Sequence, residues 1–386
     1  MLSRAPRFVC AVSAFLVAST LLSSGFALAA GESGQRVPAV PGVRETTADI
    51  MKRQREAPPR APRPDHELEY PDRSGLPSNP AATAAAQFPA PPRAALAPKA
   101  GVLAPQTTGL SFDGPTLTDT GAFPPDSMGA VGPTQFVTFV NGRLRTFTKA
   151  GVADGVINAD PDVFFASVMT PVAGSVVLNF TSDPQVRYDR FTSRWFLTII
   201  DVPCTNATCT TTAANRILFA VSDAASNGTI TGSTVWTFFF ASAAGTDFCD
   251  YPSLGVDVNA LYVGCNMFTS AGSFRGTDGY VVRKSSILGA GPITATLFQN
   301  LATGGGAGPF SPRGVDNFDA TATEGYFVGV DNATFSTLMF RRVSNPGSAT
   351  PTISANISLA VSTTNYPDPV EHLGNTGGTN GYLDSL

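Results

Sequence analysis

The sequence predicts an all-β fold: a β-propeller of four-stranded blades, incomplete at the C-terminus. Three observations predict it. A short unit recurs, made of an acidic residue, a short strand, a turn and an aromatic-rich strand. Its acidic positions, Asp126, Asp183, Asp250, Asp316 and Glu371, are 57, 67, 66 and 55 residues apart. That period is longer than the ~40–50 residues of compact propeller repeats and leaves room for several strands with long loops. Finally, runs such as Phe196-Leu197-Thr198-Ile199-Ile200 and Ile217-Leu218-Phe219-Ala220-Val221 are apolar on both faces. Such strands need a covering layer on each side, which blades stacked about an axis provide. A β-sandwich, the second choice, would alternate more cleanly.

The first 30 residues read as a secretory signal. Arg4 and Arg7 are its basic start, 8–22 its apolar core, and Ala27-Leu28-Ala29 its small-residue cleavage site. Serines and threonines break the apolar run, which favours cleavage over a retained anchor, so no membrane span is expected afterwards. Residues 31–105 are rich in Pro, Ala and Arg, as in Ala57-Pro58-Pro59-Arg60-Ala61-Pro62-Arg63-Pro64. Apart from a turn or two near 47–56 and 81–86, no periodic pattern is visible. The expectation is a disordered spacer or pro-segment.

Residues 106–386 form the expected propeller domain, with about 4.5 blades visible. They carry 21 acidic and 13 basic residues, which argues against nucleic acid and anionic membrane as partners. One blade is expected from strands at 185–189, 195–200, 216–221 and 234–240, with the polar turn Asp189 to Arg194 in its first hairpin. The next takes 253–257, 261–266, 279–284 and 293–298. A third takes 315–318, 326–330, 337–342 and 352–359. After Glu371 only fifteen residues remain. Either 109–117 return to complete that last blade, or the chain is truncated, which is the preferred expectation.

Cys204, Cys209, Cys249 and Cys265 remain after signal removal, an even number in a secreted chain. Three pairings are open. Cys249 and Cys265 fall on opposite arms of one hairpin, and their pairing is preferred; Cys204 with Cys209 would close a small loop. The location implied is extracellular or periplasmic.

Chemistry narrows to carboxylates. The sequence has no Gly-x-Ser-x-Gly elbow and no phosphate-binding glycine loop. His372 is the only histidine of the expected domain, which leaves little for a Ser-His-Asp system. Asp126, Asp183, Asp250, Asp316 and Glu371 each precede an expected innermost strand and would gather at one end of a central channel. Paired carboxylates, one held protonated and one ionised, are what glycoside hydrolysis uses. The competing reading is structural: Asp forms turns through its own backbone, and a structural role recurs in every repeat. A further loop, Asp154, Asn158, Asp160 and Asp162, spaces oxygen ligands as calcium loops do, although Pro161 interrupts it and Val163 stands where a glycine is wanted.

The run Asp183-Pro184-Gln185-Val186-Arg187-Tyr188-Asp189, followed by Arg194-Trp195-Phe196-Leu197, resembles the inner hairpins of five-bladed glycosidase propellers, which often carry Asp-Pro at the catalytic face. Ser222-Asp223, with Gly232-Ser233-Thr234-Val235-Trp236, is similar to a stretched Asp-box, the turn between third and fourth strands of sialidase-like propellers. Sialidases bind an acidic sugar with three arginines, for which Arg187, Arg283 and Arg313 are the positional candidates. The chain also resembles a widespread group of secreted bacterial propellers with no attached activity. Two functions are therefore expected: an extracellular glycosidase using carboxylates such as Asp183 and Asp250, or a non-catalytic propeller that binds glycan or another cell-surface component.

Overall fold

The computed structural model describes residues 31–60, 63, 64, 66, 68–84 and 109–366, together with the backbone of 370–371 and 382–383. The expected signal (1–30), the stretch 85–105 of the expected spacer and the side chain of Glu371 lie outside the described residues.

The chain opens with three short strands, β1 (Glu32–Ser33), β2 (Gln35–Arg36) and β3 (Val43–Thr46), and helix α1 (Thr47–Glu56). After a four-residue helix α2 (Leu117–Thr120) come four antiparallel sheets. Sheet 1 is β4 (Met128–Val131), β5 (Gln135–Val140), β6 (Arg143–Thr148) and β7 (Ala153–Ala159). A turn of helix, α3 (Pro161–Phe164), leads to sheet 2: β8 (Leu178–Asp189), β9 (Arg194–Cys204), β10 (Arg216–Ser222) and β11 (Val235–Ser242). Sheet 3 holds β12 (Phe248–Asp250), β13 (Gly255–Val256), β14 (Ala260–Phe268), β15 (Phe274–Arg283) and, beyond α4 (Lys284–Ile287), β16 (Ala295–Thr303). Sheet 4 is β17 (Pro309–Gly314), β18 (Glu324–Asp331), β19 (Thr337–Ser344), β20 (Thr352–Ile353) and β21 (Ile357–Ala360). The backbone of β22 (Val370–Glu371) pairs with β23 (Tyr382–Leu383).

The doubly apolar runs are explained by face-to-face stacking. In β9, Trp195, Leu197 and Ile199 pack with Val137, Phe139 and Leu144 of sheet 1. Their alternates Phe196, Ile200 and Val202 pack with Leu261, Val263 and Tyr280 of sheet 3. Sheet 3 in turn meets sheet 4 through Tyr262, Val281, Phe327 and Val343. Sheets 2 and 3 are therefore buried on both faces, as layered β-structure requires. Sheet 4 alternates along β19 between buried and half-buried residues; Tyr326, Val328, Leu338 and Phe340 point away from sheet 3 and are partly exposed.

The first strands of neighbouring sheets run close together. A Cβ on Gly264 would stand 2.0 Å from the Pro312 carbonyl, and one on Gly314 would stand 2.2 Å from the Tyr262 carbonyl, so glycine is what allows β14 and β17 to touch. Arg187 of β8 reaches Asp316, just beyond β17, at 2.9 Å, which ties sheet 2 to sheet 4.

The expected strands of sheet 2 are all present. In sheet 4 the first strand is displaced to β17, ahead of Asp316. Spacing by acidic residue was misleading there, because the repeated feature is a residue before proline: Asp183-Pro184, Tyr251-Pro252 and Ser311-Pro312. Residues 109–117 form no strand before α2; Phe112 instead packs against Phe136 and Phe147.

The larger correction concerns the expected spacer. Of its described residues, 31–56 pair along the outer edges of three sheets: β1 with β20, β2 with β16 and β3 with β11. Helix α1 is capped by Thr46, whose hydroxyl oxygen accepts from the Asp49 amide at 3.1 Å. It seats Ile50, fully buried, among sheet 1 and sheet 2 side chains. Edge pairing uses backbone groups that any composition carries, so Pro, Ala and Arg content did not reveal it.

Candidate functional site

The site forms where the four sheets begin. Asp126, Asp183, Tyr251 and Ser311 occupy equivalent places, before or at a bulge in the first strand. All four adopt left-handed backbone, with φ of 41°, 60°, 50° and 45°. The register of β8 with β9 shifts between Ser182 and Gln185, and that of β17 with β18 between Phe310 and Arg313. Non-glycine residues in this region carry strain of the order of 1 kcal/mol or more, and such residues cluster at functional sites.

Asparagines link neighbouring sheets at this level. The Asn141 amide donates to Asp126 at 2.5 Å, and its carbonyl oxygen accepts from the Asp183 backbone N–H at 3.0 Å. Asn266 links sheets 3 and 4, two interfaces further on: it donates to the Ser311 hydroxyl at 2.9 Å and accepts from the Ser311 N–H at 3.1 Å. Between them, the Asp183 carboxylate accepts from the Tyr251 N–H at 3.0 Å. Neither asparagine stands out in the sequence; only a place just after or near the end of an apolar second strand marks them.

Asp126, Asp183 and Asp250 thereby face one another. Burial raises the Asp183 carboxyl well above the usual range, and the charges of Asp250 and Asp126, with a hydrogen bond to Asp126, raise it further. Burial also pushes Asp250 up to about 6, against the lowering effect of a hydrogen bond from Tyr70 and with the Asp126 charge adding to the rise. Two carboxyl groups with such perturbed proton affinities in one recess are a functional signature.

The recess is a cavity of about 680 Å³. Phe180, Phe248, Phe310, Tyr70 and Tyr251 contribute aromatic walls, and Phe123, 79% exposed, stands at its rim. The expected spacer supplies part of this wall. The Tyr70 hydroxyl donates to Asp250 at 2.7 Å and accepts from the Asn266 amide at 3.2 Å. Arg63 pairs with Asp162 and donates to the Thr181 carbonyl at 2.8 Å. Arg73 lies 4.3 Å from the centre of the Phe310 ring and donates to the Asp331 carbonyl at 2.5 Å.

Other expected site residues lie elsewhere. Asp316 does not join the cluster: it pairs with Arg187 and accepts from the Val256 N–H at 2.9 Å. The backbone of Glu371 lies in β22. The proposed calcium ligands are spent separately. Asp154 accepts from Gln135 at 2.6 Å and Thr146 at 2.5 Å. Asn158 accepts from Arg145 at 3.2 Å. Asp160 caps α3 and meets Arg60 at 3.2 Å, while Asp162 holds Arg63 and accepts from the Thr181 amide at 2.7 Å. Among the described residues, no group of three or more His, Cys, Asp or Glu could hold a metal ion.

The three candidate arginines are not gathered either. Arg187 is paired with Asp316, Arg313 donates to the Tyr251 hydroxyl at 2.5 Å, and Arg283 closes β15 opposite Ala260. The stretched Asp-box holds as a turn: Asp223 accepts from the Ser226 and Val235 amides, each at 2.8 Å, between β10 and β11. Both local disulfides are present, Cys204–Cys209 and Cys249–Cys265, the second joining β12 to β14. No described helix is long and apolar enough to cross a membrane.

No protein-family profile and no curated protein matches the sequence. Solved structures match distantly. An exo-β-1,3-galactanase from Phanerochaete chrysosporium aligns over 60% of this chain and 49% of its own, at 11% identity and a TM-score of 0.31. The subtype N11 neuraminidase-like protein of A/flat-faced bat/Peru/033/2010 aligns over 62% and 59%, at 11% identity and 0.30. A GH43_1 enzyme from Xanthomonas citri aligns over 60% and 74%, at 11% identity and 0.29. The chain thus spans about half of the galactanase and three fifths of the neuraminidase-like protein. Likenesses at this level carry neither fold nor function, which rest on the strands and side chains described above.

Proposed function

We propose that this protein is an exported glycoside hydrolase in which the four sheets are blades of a propeller and the cavity at their first strands is the active site. The observation that carries this reading is the Asp126–Asp183–Asp250 cluster at the base of an aromatic-walled recess. Sugars present apolar ring faces to aromatic side chains and hydroxyls to carboxylates, so such a recess suits a glycan. A module without chemistry would spend its carboxylates on backbone turns. Asp257 does so, accepting from the amides of Asn259 and Ala260, each at 2.7 Å; Asp183 takes one amide, that of Tyr251, but it, Asp126 and Asp250 also face one another. Two disulfides fit an oxidising compartment outside the cytosol.

The division of labour follows from the proton affinities. Asp183, whose carboxyl holds its proton to higher pH than an ordinary one, donates it to the glycosidic oxygen as the bond breaks. Asp250, ionised above about pH 6, faces the positive charge that develops on the sugar ring, either attacking the anomeric carbon or taking a proton from water. Asp126 shares a hydrogen bond with Asp183 and holds its proton in place until transfer.

The test is a screen of aryl glycosides and polysaccharides with the secreted protein, beside Asp183→Asn and Asp250→Asn. Each variant is expected to fold and to lose about 10²–10⁴-fold in kcat. The rate should rise with pH through about 6 as Asp250 ionises. Absence of turnover on every glycan, or full activity in Asp183→Asn, contradicts the reading.

A further inference from the structure

The described residues of this stretch, 57–60, 63, 64, 66 and 68–84, follow a path that the composition of a spacer does not explain. Having edged sheets 4, 3 and 2 in that order through β1, β2 and β3, the chain turns at α1 and comes back across the cavity from sheet 1 to sheet 4. Arg60 donates to the Thr120 carbonyl at 2.6 Å, next to sheet 1. Arg63 holds Thr181 of β8 at 2.8 Å. His66 donates through Nδ1 to the Cys209 carbonyl at 2.9 Å and sets its ring edge-on to Phe248. Tyr70 sits on Asp250. Arg73 and Asn79 then fasten the segment to sheet 4, at the Asp331 carbonyl and at the Thr337 hydroxyl, 2.8 Å from the Asn79 amide.

Tyr70 is the informative contact. Its ring meets Phe268 and Phe310 edge-on, at centroid distances of 5.4 and 5.7 Å. Its hydroxyl donates to one of the clustered carboxylates and accepts from Asn266. A six-membered ring held in an aromatic slot, with one hydroxyl on a carboxylate, is also how a pyranose would sit in this recess. The segment is held on one side of Tyr70 by ion pairs of Arg60 and Arg63 with Asp160 and Asp162 and by bonds to the Thr120 and Thr181 carbonyls, and on the other by hydrogen bonds to the Asp331 carbonyl and the Thr337 hydroxyl. Each hydrogen bond is worth about 1 kcal/mol net, or about 1.5–3 where the donor is charged. Leu68 and Tyr70 pack against the edge of the core between sheets 2 and 3.

We propose that the described residues 63, 64, 66 and 68–73 are a built-in occupant of the cavity, an inhibitory strap that places Tyr70 where one sugar ring of the substrate binds. This rests on the glycosidase reading for the identity of the displaced ligand, but not for the existence of the strap. Removal of the strap, by proteolysis after export or by a partner that binds it, opens the subsite.

The strap is tested on the full chain by carbodiimide-driven amidation of Asp250 with a small amine, followed by peptide mapping. Wild type is compared with Tyr70→Ala and with the anchor double variant Arg73→Ala/Asn79→Ala, and glycoside hydrolysis is measured in parallel. Asp250 should be modified roughly tenfold faster in both variants, with Asp278, buried away from the strap, as an internal control for folding. Faster labelling with faster hydrolysis supports both proposals. Faster labelling with no hydrolysis in any form upholds the strap and contradicts the glycosidase reading. Unchanged labelling overturns the strap, and if Tyr70→Ala then also loses hydrolysis, Tyr70 belongs to a permanent wall.

Discussion

The two ends of the first strands hold carboxylates in opposite circumstances. At the cavity end, Asp126, Asp183 and Asp250 crowd together, and none takes part in an ion pair among the described residues. Further along the same sheets, Asp189, Asp257 and Asp316 are held by cations, turn amides or a hydroxyl. Asp189 meets the Lys284 ammonium at 2.7 Å, both 2% exposed, and also accepts from the amides of Phe191 and Thr192. Asp257 takes two amides and the Tyr262 hydroxyl at 2.6 Å. Asp316 takes Arg187 and an amide. Matched acids close turns and join sheets. Acids crowded together without a cation destabilise the fold and persist where chemistry uses them.

Breaking the matched end should have the largest effect on stability. Lys284 also donates to the Asp257 carbonyl at 2.6 Å, so Lys284→Met leaves a buried carboxylate and a buried carbonyl without their cation. The expected cost in denaturant unfolding is about 3–5 kcal/mol, at the lower end because Asp189 keeps its turn amides. A loss below about 1 kcal/mol would mean that the pair is not buried in solution. Arg187→Ala, by contrast, removes a pair whose partners are 29% and 32% exposed. Screening limits it to about 0.2–1 kcal/mol, so its unfolding midpoint should barely move and should become insensitive to salt. If Arg187→Ala costs as much as Lys284→Met, the matched end is held by cross-sheet charge and not by buried pairing.

Much of this contrast could be read from the sequence, and the rest could not for identifiable reasons. The sheets were legible because strands covered on both faces must be apolar throughout, as in 196–200. Asp126, Asp183 and Asp250 were legible because an acid recurs near the start of each sheet, although Asp183 lies within β8 and Asp250 closes β12. Asp316 was misplaced because acid spacing stood in for the real repeat, a left-handed residue before proline. Spacing of Asp154, Asn158, Asp160 and Asp162 counts oxygens without showing which neighbours already use them; Arg60 and Arg63, about a hundred residues earlier, take two of the four. The strap was illegible for the same reason as the edge strands: it binds through backbone carbonyls and isolated side chains, which leave no period.

The central claim is that Asp183 is a carboxyl the fold would rather keep protonated. A raised proton affinity in the folded state means that stability is highest below the unfolded carboxylate range, near pH 4, and declines as pH rises through the folded value. Asp250 adds to that decline between about 4 and 6. Unfolding midpoints of wild type and Asp183→Asn, measured from pH 4 to pH 8.5, test this directly. The account predicts near-equal midpoints at pH 4 and a more stable Asp183→Asn at pH 8.5. A variant less stable than wild type at pH 8.5 would show an ionised Asp183 that the fold welcomes, and would contradict it.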